Sequence, residues 1–289
     1  MTTEQVVLDD VTLDCIVEGP ADGPVAVLLH GFPDTRHTYR YLTPELAALG
    51  YRVVVPAMRG YAPSTPSSIN DYQVSRLAAD ALALEAHFGG NGESVIVGHD
   101  WGSGVVEMAT KAAPERWRRA VMIAVPPAAL FASLFVNYDQ LRCSWYMFFF
   151  QNAISDYVVS LNDMEFIARL WGDWSPGYDA TEDLEHVRDA LSHPENLTAA
   201  LGYYRTTFGT LPSLNTHPEI IAAQSETPTV PTLYLHGATD GCAPHSHFAD
   251  PLAYMAPGSR FELIDGAGHF LQLEAPEKVN ALITQWLAR

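Results

Sequence analysis

The sequence predicts an α/β fold: a mostly parallel, eight-stranded sheet flanked by helices, with a helical cap inserted into it. Three observations carry this. Short, continuous apolar runs such as Val25–Leu29 alternate with amphipathic stretches, the pattern of strands covered on both faces by helices. That alternation stops after Pro126-Pro127 and returns at Thr232. The segment between reads as mainly helical and is rich in aromatics, among them Trp145, Tyr146, Phe148, Phe149 and Phe150.

In chain order, Val6–Leu8 and Leu13–Val17 alternate in polarity and predict two antiparallel strands. Val25–Leu29 is a buried strand ending at His30-Gly31. Leu42–Leu49 is helical and closes on Gly50. Arg52–Val55 is a strand, Leu77–Phe88 a helix stopped by Gly89-Gly90, and Ser94–Val97 a strand running into Gly98. A helix over Val105–Ala113 and a strand over Val121–Val125 follow. After the cap, strands are expected at Thr232–Leu235 and Phe261–Ile264, and a last helix from Pro276 to Leu287. Residues 1–126 and 218–289 then form the sheet domain and residues 127–217 the cap, over the strand ends where open α/β sheets bind ligands.

The formal net charge of −18 sets nucleic acid and anionic membrane surfaces aside as partners. No apolar stretch is long enough for a membrane span. The N-terminus lacks a basic region followed by an apolar run, so no signal peptide is expected. Cys15, Cys143 and Cys242 are few, far apart and outside any CxxC pair, which predicts a reducing, cytoplasmic setting without disulfides. No metal is expected: His245-Ser246-His247 lacks a third ligand in sequence. No cofactor is expected either, because Gly31, Gly60 and Gly98 form no dinucleotide fingerprint.

The chemistry concentrates at Gly98-His99-Asp100-Trp101-Gly102. A buried strand reaches a sharp turn and a helix leaves it, with Gly98 and Gly102 flanking Asp100 at two residues on either side. This is the frame of a nucleophile elbow with aspartate at its apex. The glycines let strand and helix approach closely, and the helix N-terminus favours negative charge at the apex. A carboxylate displaces a leaving group at saturated carbon and forms an ester on the enzyme. His30-Gly31-Phe32-Pro33 follows the first central strand, where the second part of an oxyanion hole belongs. The backbone N–H groups of Phe32 and Trp101 are the expected donors, since Pro33 has none. His269 follows the last strand and Asp240 the one before it, giving the chain order Asp100, Asp240, His269 for nucleophile, acid and base. Asp265 and Glu274 are the rival acids.

The segments HGFPD, RGYAPS, GHDWGS, ATD and GAGH, in this order, resemble the epoxide hydrolases of the α/β-hydrolase superfamily, and the resemblance spans essentially the whole chain. It implies two cap tyrosines that hydrogen-bond the epoxide oxygen. Tyr146, shortly before Phe150-Gln151, matches the first. Tyr204, before Arg205, matches the second, with Tyr203 beside it as the alternative because Gly202-Tyr203 replaces the usual Asn-Trp. The expected partners are a small apolar substrate and water, and the expected assembly is a monomer or homodimer. Two other readings use the same scaffold. A haloalkane or haloacetate dehalogenase would share the triad, but Phe32 stands where an asparagine is common and Trp101 where an arginine is common. A binding protein without turnover is the other.

Overall fold

A computed structural model describes residues 1–209 and 214–288; residues 210–213, which fall within the expected cap, lie outside the described residues. Eight strands form one sheet: β1 (Thr2–Val7), β2 (Thr12–Glu18), β3 (Val25–Leu29), β4 (Arg52–Pro56), β5 (Ser94–His99), β6 (Trp117–Ile123), β7 (Thr232–Gly237) and β8 (Arg260–Ile264). Their order is β1-β2-β4-β3-β5-β6-β7-β8. The two contacts of β2 are antiparallel and the other ladders are parallel. The mostly parallel, eight-stranded α/β sheet expected from the sequence is therefore present. After β3 the chain builds to one side through β4, then returns to place β5 on the other. Ligands of open α/β sheets bind at such a reversal, beyond the carboxyl ends of the strands.

Alternating strand residues feed two apolar layers. Val25, Val27 and Leu29 face one side, with α2 (Val74–His87) and α3 (Trp101–Ala112). Ala26 and Leu28 face the other, with α1 (Thr43–Ala48) and the C-terminal helix. β3, β5 and β7 are buried at every position, which is why their sequences are continuous apolar runs.

Between β6 and β7 come α4 (Ala128–Leu134), α5 (Tyr138–Cys143), α6 (Trp145–Phe149), α7 (Ser155–Trp174, broken at Leu161–Met164), α8 (Thr181–Leu191), α9 (Pro194–Thr207) and α10 (Pro218–Ala223). The last of these packs on α2 and α3. The chain ends with α11 (Leu271–Glu274) and α12 (Pro276–Leu287).

Several boundaries differ from the sequence reading: the first strand, expected at Val6–Leu8, is Thr2–Val7, the helix expected at Leu77–Phe88 is Val74–His87, and two more differences flank the elbow and its neighbouring strand. The strand expected at Val121–Val125 is Trp117–Ile123. Arg118 and Arg119 occupy half-buried positions at its start and mask the apolar pattern, and Ala124, at φ 70°, turns the chain out of the sheet. The helix expected from Val105 starts at Trp101, directly after the elbow, where glycine and serine weaken the helical pattern.

Candidate active site

The site lies where β3, β5, β7 and β8 end. Asp100 follows β5 with φ 53° and ψ −115°, a left-handed backbone that a residue with a side chain adopts only at a cost. Close packing holds it there. A Cβ on Gly98 would lie 2.1 Å from the Gly102 carbonyl oxygen, and one on Gly102 2.2 Å from that of Leu29. A Cβ on Gly31 would lie 2.3 Å from Asp100 Oδ1. These three glycines let the loop after β3 press against the elbow.

The Phe32 N–H donates to Asp100 Oδ1 at 2.7 Å. The Trp101 nitrogen also faces the Gly31 position, so both expected backbone donors flank the apex. His30 shapes this loop from inside. Its Nε2 accepts from the Met58 N–H at 3.0 Å, which leaves the proton on Nδ1 to meet the Gly31 carbonyl at 2.9 Å. Burial pushes the His30 imidazole down to about 4, so it stays neutral. The Pro33 carbonyl accepts from Trp171 Nε1 at 2.8 Å and ties the loop to α7.

His269 stands across from the free Asp100 oxygen: its Nε2 is 3.7 Å from Asp100 Oδ2, and its Nδ1 is 2.9 Å from Asp240 Oδ2. The other Asp240 oxygen accepts from the N–H groups of Cys242 at 2.7 Å and Ala243 at 3.0 Å. Asp265 is exposed. Glu274 instead accepts from the Gly268 N–H at 2.8 Å and the Phe270 N–H at 3.1 Å, so it braces the loop that carries His269. Of the three acids, only Asp240 meets the imidazole.

Burial works against charge on His269, but the carboxylates of Asp240 and Asp100 outweigh it and raise the imidazole to about 10. Burial likewise opposes charge on Asp240, and the His269 imidazolium prevails and lowers it. A raised base stabilises the fold in its protonated form. The His269 contribution is complete below its ordinary value of 6.5 and is lost as pH rises through about 10. We expect the melting-temperature advantage of the native chain over His269→Gln to shrink steadily between those two pH values. Thermal unfolding of both proteins across that range checks this, and a constant difference would contradict it.

From the cap, Tyr146 and Tyr204 come together with ring centroids 5.7 Å apart, and Tyr204 packs against Trp101 at 5.0 Å and Phe32 at 5.2 Å. Both rings are fully buried. Burial, reinforced by the charge of Asp100, holds both phenols well above their usual range, so both keep their protons. The Tyr204 hydroxyl meets no hydrogen-bond partner among the described residues. The Tyr203 hydroxyl donates to the Arg59 carbonyl at 2.9 Å and is committed there. Gln151 joins the two helices by donating to the carbonyls of Met147 and Tyr204, and Arg205 donates to the Phe150 carbonyl. A cavity of about 420 Å³ opens over Asp100, Trp101 and Tyr204.

Known proteins resemble this chain over nearly its whole length. The pattern of the alpha/beta hydrolase fold family matches residues 24–276. Epoxide hydrolase 3 of Xenopus tropicalis is 31% identical over 287 residues, covering 94% of this chain and 73% of that protein. The chain belongs to the epoxide hydrolase family of the α/β hydrolases. Epoxide hydrolase A of Mycobacterium tuberculosis is 29% identical over 319 residues, covering 99% of this chain and 97% of that one. The crystal structure of Bacillus megaterium epoxide hydrolase superposes with a TM-score of 0.83 at 23% identity, covering 99% of this chain and all (100%) of the other, a likeness of fold.

Other residues of this epoxide hydrolase family member also pack around the site. His99 Nε2 meets the His269 carbonyl at 3.0 Å, and Trp174 stands 5.1 Å from the His269 ring. His236 Nε2 meets the Ala243 carbonyl at 2.9 Å and shapes the turn after Asp240. Cys242 Sγ lies 3.5 Å from the Tyr146 hydroxyl. Of these, only His99 had a local signal, inside the Gly98–Gly102 motif. No helix among the described residues is long and apolar enough to cross a membrane.

Proposed function

We propose that this protein hydrolyses an apolar aryl or alkyl epoxide to a vicinal diol through an ester on Asp100. The observation that carries the reading is the arrangement at Asp100. Oδ1 is held by the Phe32 N–H, Oδ2 is left free to attack beside His269, and two protonated phenols stand opposite in the cap. Oδ2 attacks a ring carbon and the carbon–oxygen bond breaks. The departing alkoxide is a poor leaving group, and the hydroxyls of Tyr146 and Tyr204 stabilise it as it forms. Its proton is made up from the His269 imidazolium. Esterification removes the charge of Asp100 and with it part of what holds the His269 proton, so the imidazole becomes neutral at this stage. It then takes a proton from water, whose hydroxide adds to the Asp100 carbonyl carbon. The N–H groups of Phe32 and Trp101 hold the resulting oxyanion. When that intermediate breaks, the added hydroxyl passes its proton to the leaving oxygen. Diol departs, and the carboxylate and imidazolium are restored. Asp240 keeps the imidazole oriented throughout.

A single turnover of styrene oxide in heavy-oxygen water tests this route. The diol should be unlabelled, with one heavy oxygen in the Asp100 peptide. Label in the first-turnover diol would mean direct attack by water and would sink the ester mechanism.

A further inference from the structure

The cavity does not end at Asp100. One wall is a single stripe of α3: Trp101, Gly104, Met108 and Lys111, at spacings of three and four that keep them on one face. At 1.5 Å rise per residue, this stripe is about 15 Å long. Phe131, Phe135 and Phe208 of the cap form the apolar wall opposite. An extended chain advances roughly 1.2 Å per bond, so the trough accommodates an apolar arm of about twelve bonds. Its far end is polar. Lys111 Nζ donates to Glu107 Oε1 at 2.8 Å and to the Gln224 carbonyl at 3.2 Å. The second Glu107 oxygen accepts from the Ala128 N–H at 2.6 Å. Both side chains are only 11% exposed. An ammonium has three protons, so one remains to be offered to a ligand. The charge of Lys111, however, is already matched by Glu107. A carboxylate arriving there would sit beside another carboxylate, in a chain of net charge −18, and like charges at that range repel. A neutral acceptor such as an ester, amide or hydroxyl oxygen meets the donor without that cost.

We infer that Lys111 and Glu107 form a subsite for the uncharged polar terminus of a long epoxide, with the terminus about twelve bonds from the reacting carbon. This rests on the epoxide reading above and narrows its substrate to long, neutral amphiphiles. The test compares methyl 11,12-epoxydodecanoate, the corresponding free acid and 1,2-epoxyhexane as substrates. The diols of the first two are also titrated calorimetrically, which needs no turnover. The native protein should favour ester over acid by about tenfold, through repulsion of the terminal carboxylate by Glu107, and ester over hexane epoxide through the Lys111 donor. Lys111→Met keeps the apolar stem and removes the donor, so the ester diol should bind about tenfold more weakly, while Glu107, left without its counter-charge, keeps the acid disfavoured. Glu107→Gln leaves Lys111 without its counter-charge, so preference should turn towards the acid. An acid bound and turned over as well as the ester by the native protein would overturn the subsite. So would ester-diol binding that Lys111→Met leaves unchanged. If no epoxide is turned over but the diols keep the expected order and its response to substitution, the subsite stands and the epoxide reading falls.

Discussion

His269→Gln protein mixed with styrene oxide is expected to gain the mass of one whole epoxide, carried on Asp100, and to release diol at least about a thousandfold more slowly than the native chain. The expectation follows from the division of labour at the site. Attack needs Asp100 Oδ2, the Phe32 N–H and the cap phenols, which all remain; the proton that His269 gives the alkoxide in the native chain is taken from water instead, since an alkoxide is a stronger base than hydroxide. Hydrolysis needs a base near the Asp100 carbonyl, and the imidazole beside Oδ2 is the one base so placed among the described residues. The ester should therefore form and persist. Intact mass followed by peptide mapping checks this. An adduct equal to an alkyl group without halide, formed with a haloalkane while epoxides give none, would move the assignment to a dehalogenase. Rapid diol release without an adduct would remove His269 from the mechanism.

The second large effect is expected from the phenols. Tyr146→Phe and Tyr204→Phe together should slow ester formation by about 10³-fold or more, and each alone by roughly 10²-fold, the usual loss for one donor to a developing oxyanion. Either phenol can partly cover for the other, because their rings sit edge to face above the same carboxylate. The loss should appear in the single-turnover rate of ester formation. The His269-dependent hydrolysis of an ester already formed should be much less affected. Rapid-quench measurement of both steps separates them. Unchanged ester formation in the double variant would show that the ring oxygen is stabilised by other groups.

Much of this arrangement was legible in the chain. Asp100 stood out because a strained turn between a buried strand and a helix demands small neighbours, and Gly98 and Gly102 supply them. Asp240 and His269 were legible because strand ends are visible as the limits of apolar runs. What stayed hidden depends on chain-distant contacts. The sequence shows Glu274 near His269 but not that Ser175, just past α7 and 99 residues away, shares its carboxylate and ties it to the cap. Cys242 and Tyr146 are 96 residues apart in sequence, and no periodicity announces that they meet. The choice between Tyr203 and Tyr204 could not be made from adjacent letters. Both rings touch Trp101; the difference is that the Tyr203 hydroxyl is bonded to the Arg59 carbonyl while Tyr204 packs against Phe32 and Tyr146.

The end of α7 bears on how proteins of this design diversify. The Trp174 carbonyl accepts from the His269 N–H and the Gly241 N–H, both at 3.1 Å, and Ser175 lies so close to Gly268 that a Cβ there would meet its Cα at 2.6 Å. The insertion thus reaches down and sets the loops bearing the base and its acid. It is not a freely exchangeable module. A graft that replaced the whole insertion would inherit a foreign mould for the reaction centre, whereas one that kept Trp174 and Ser175 would exchange only the walls. Recombination and laboratory evolution should therefore find new specificities in α4, α6 and α9, where the aromatic walls lie, and leave the last turn of α7 alone.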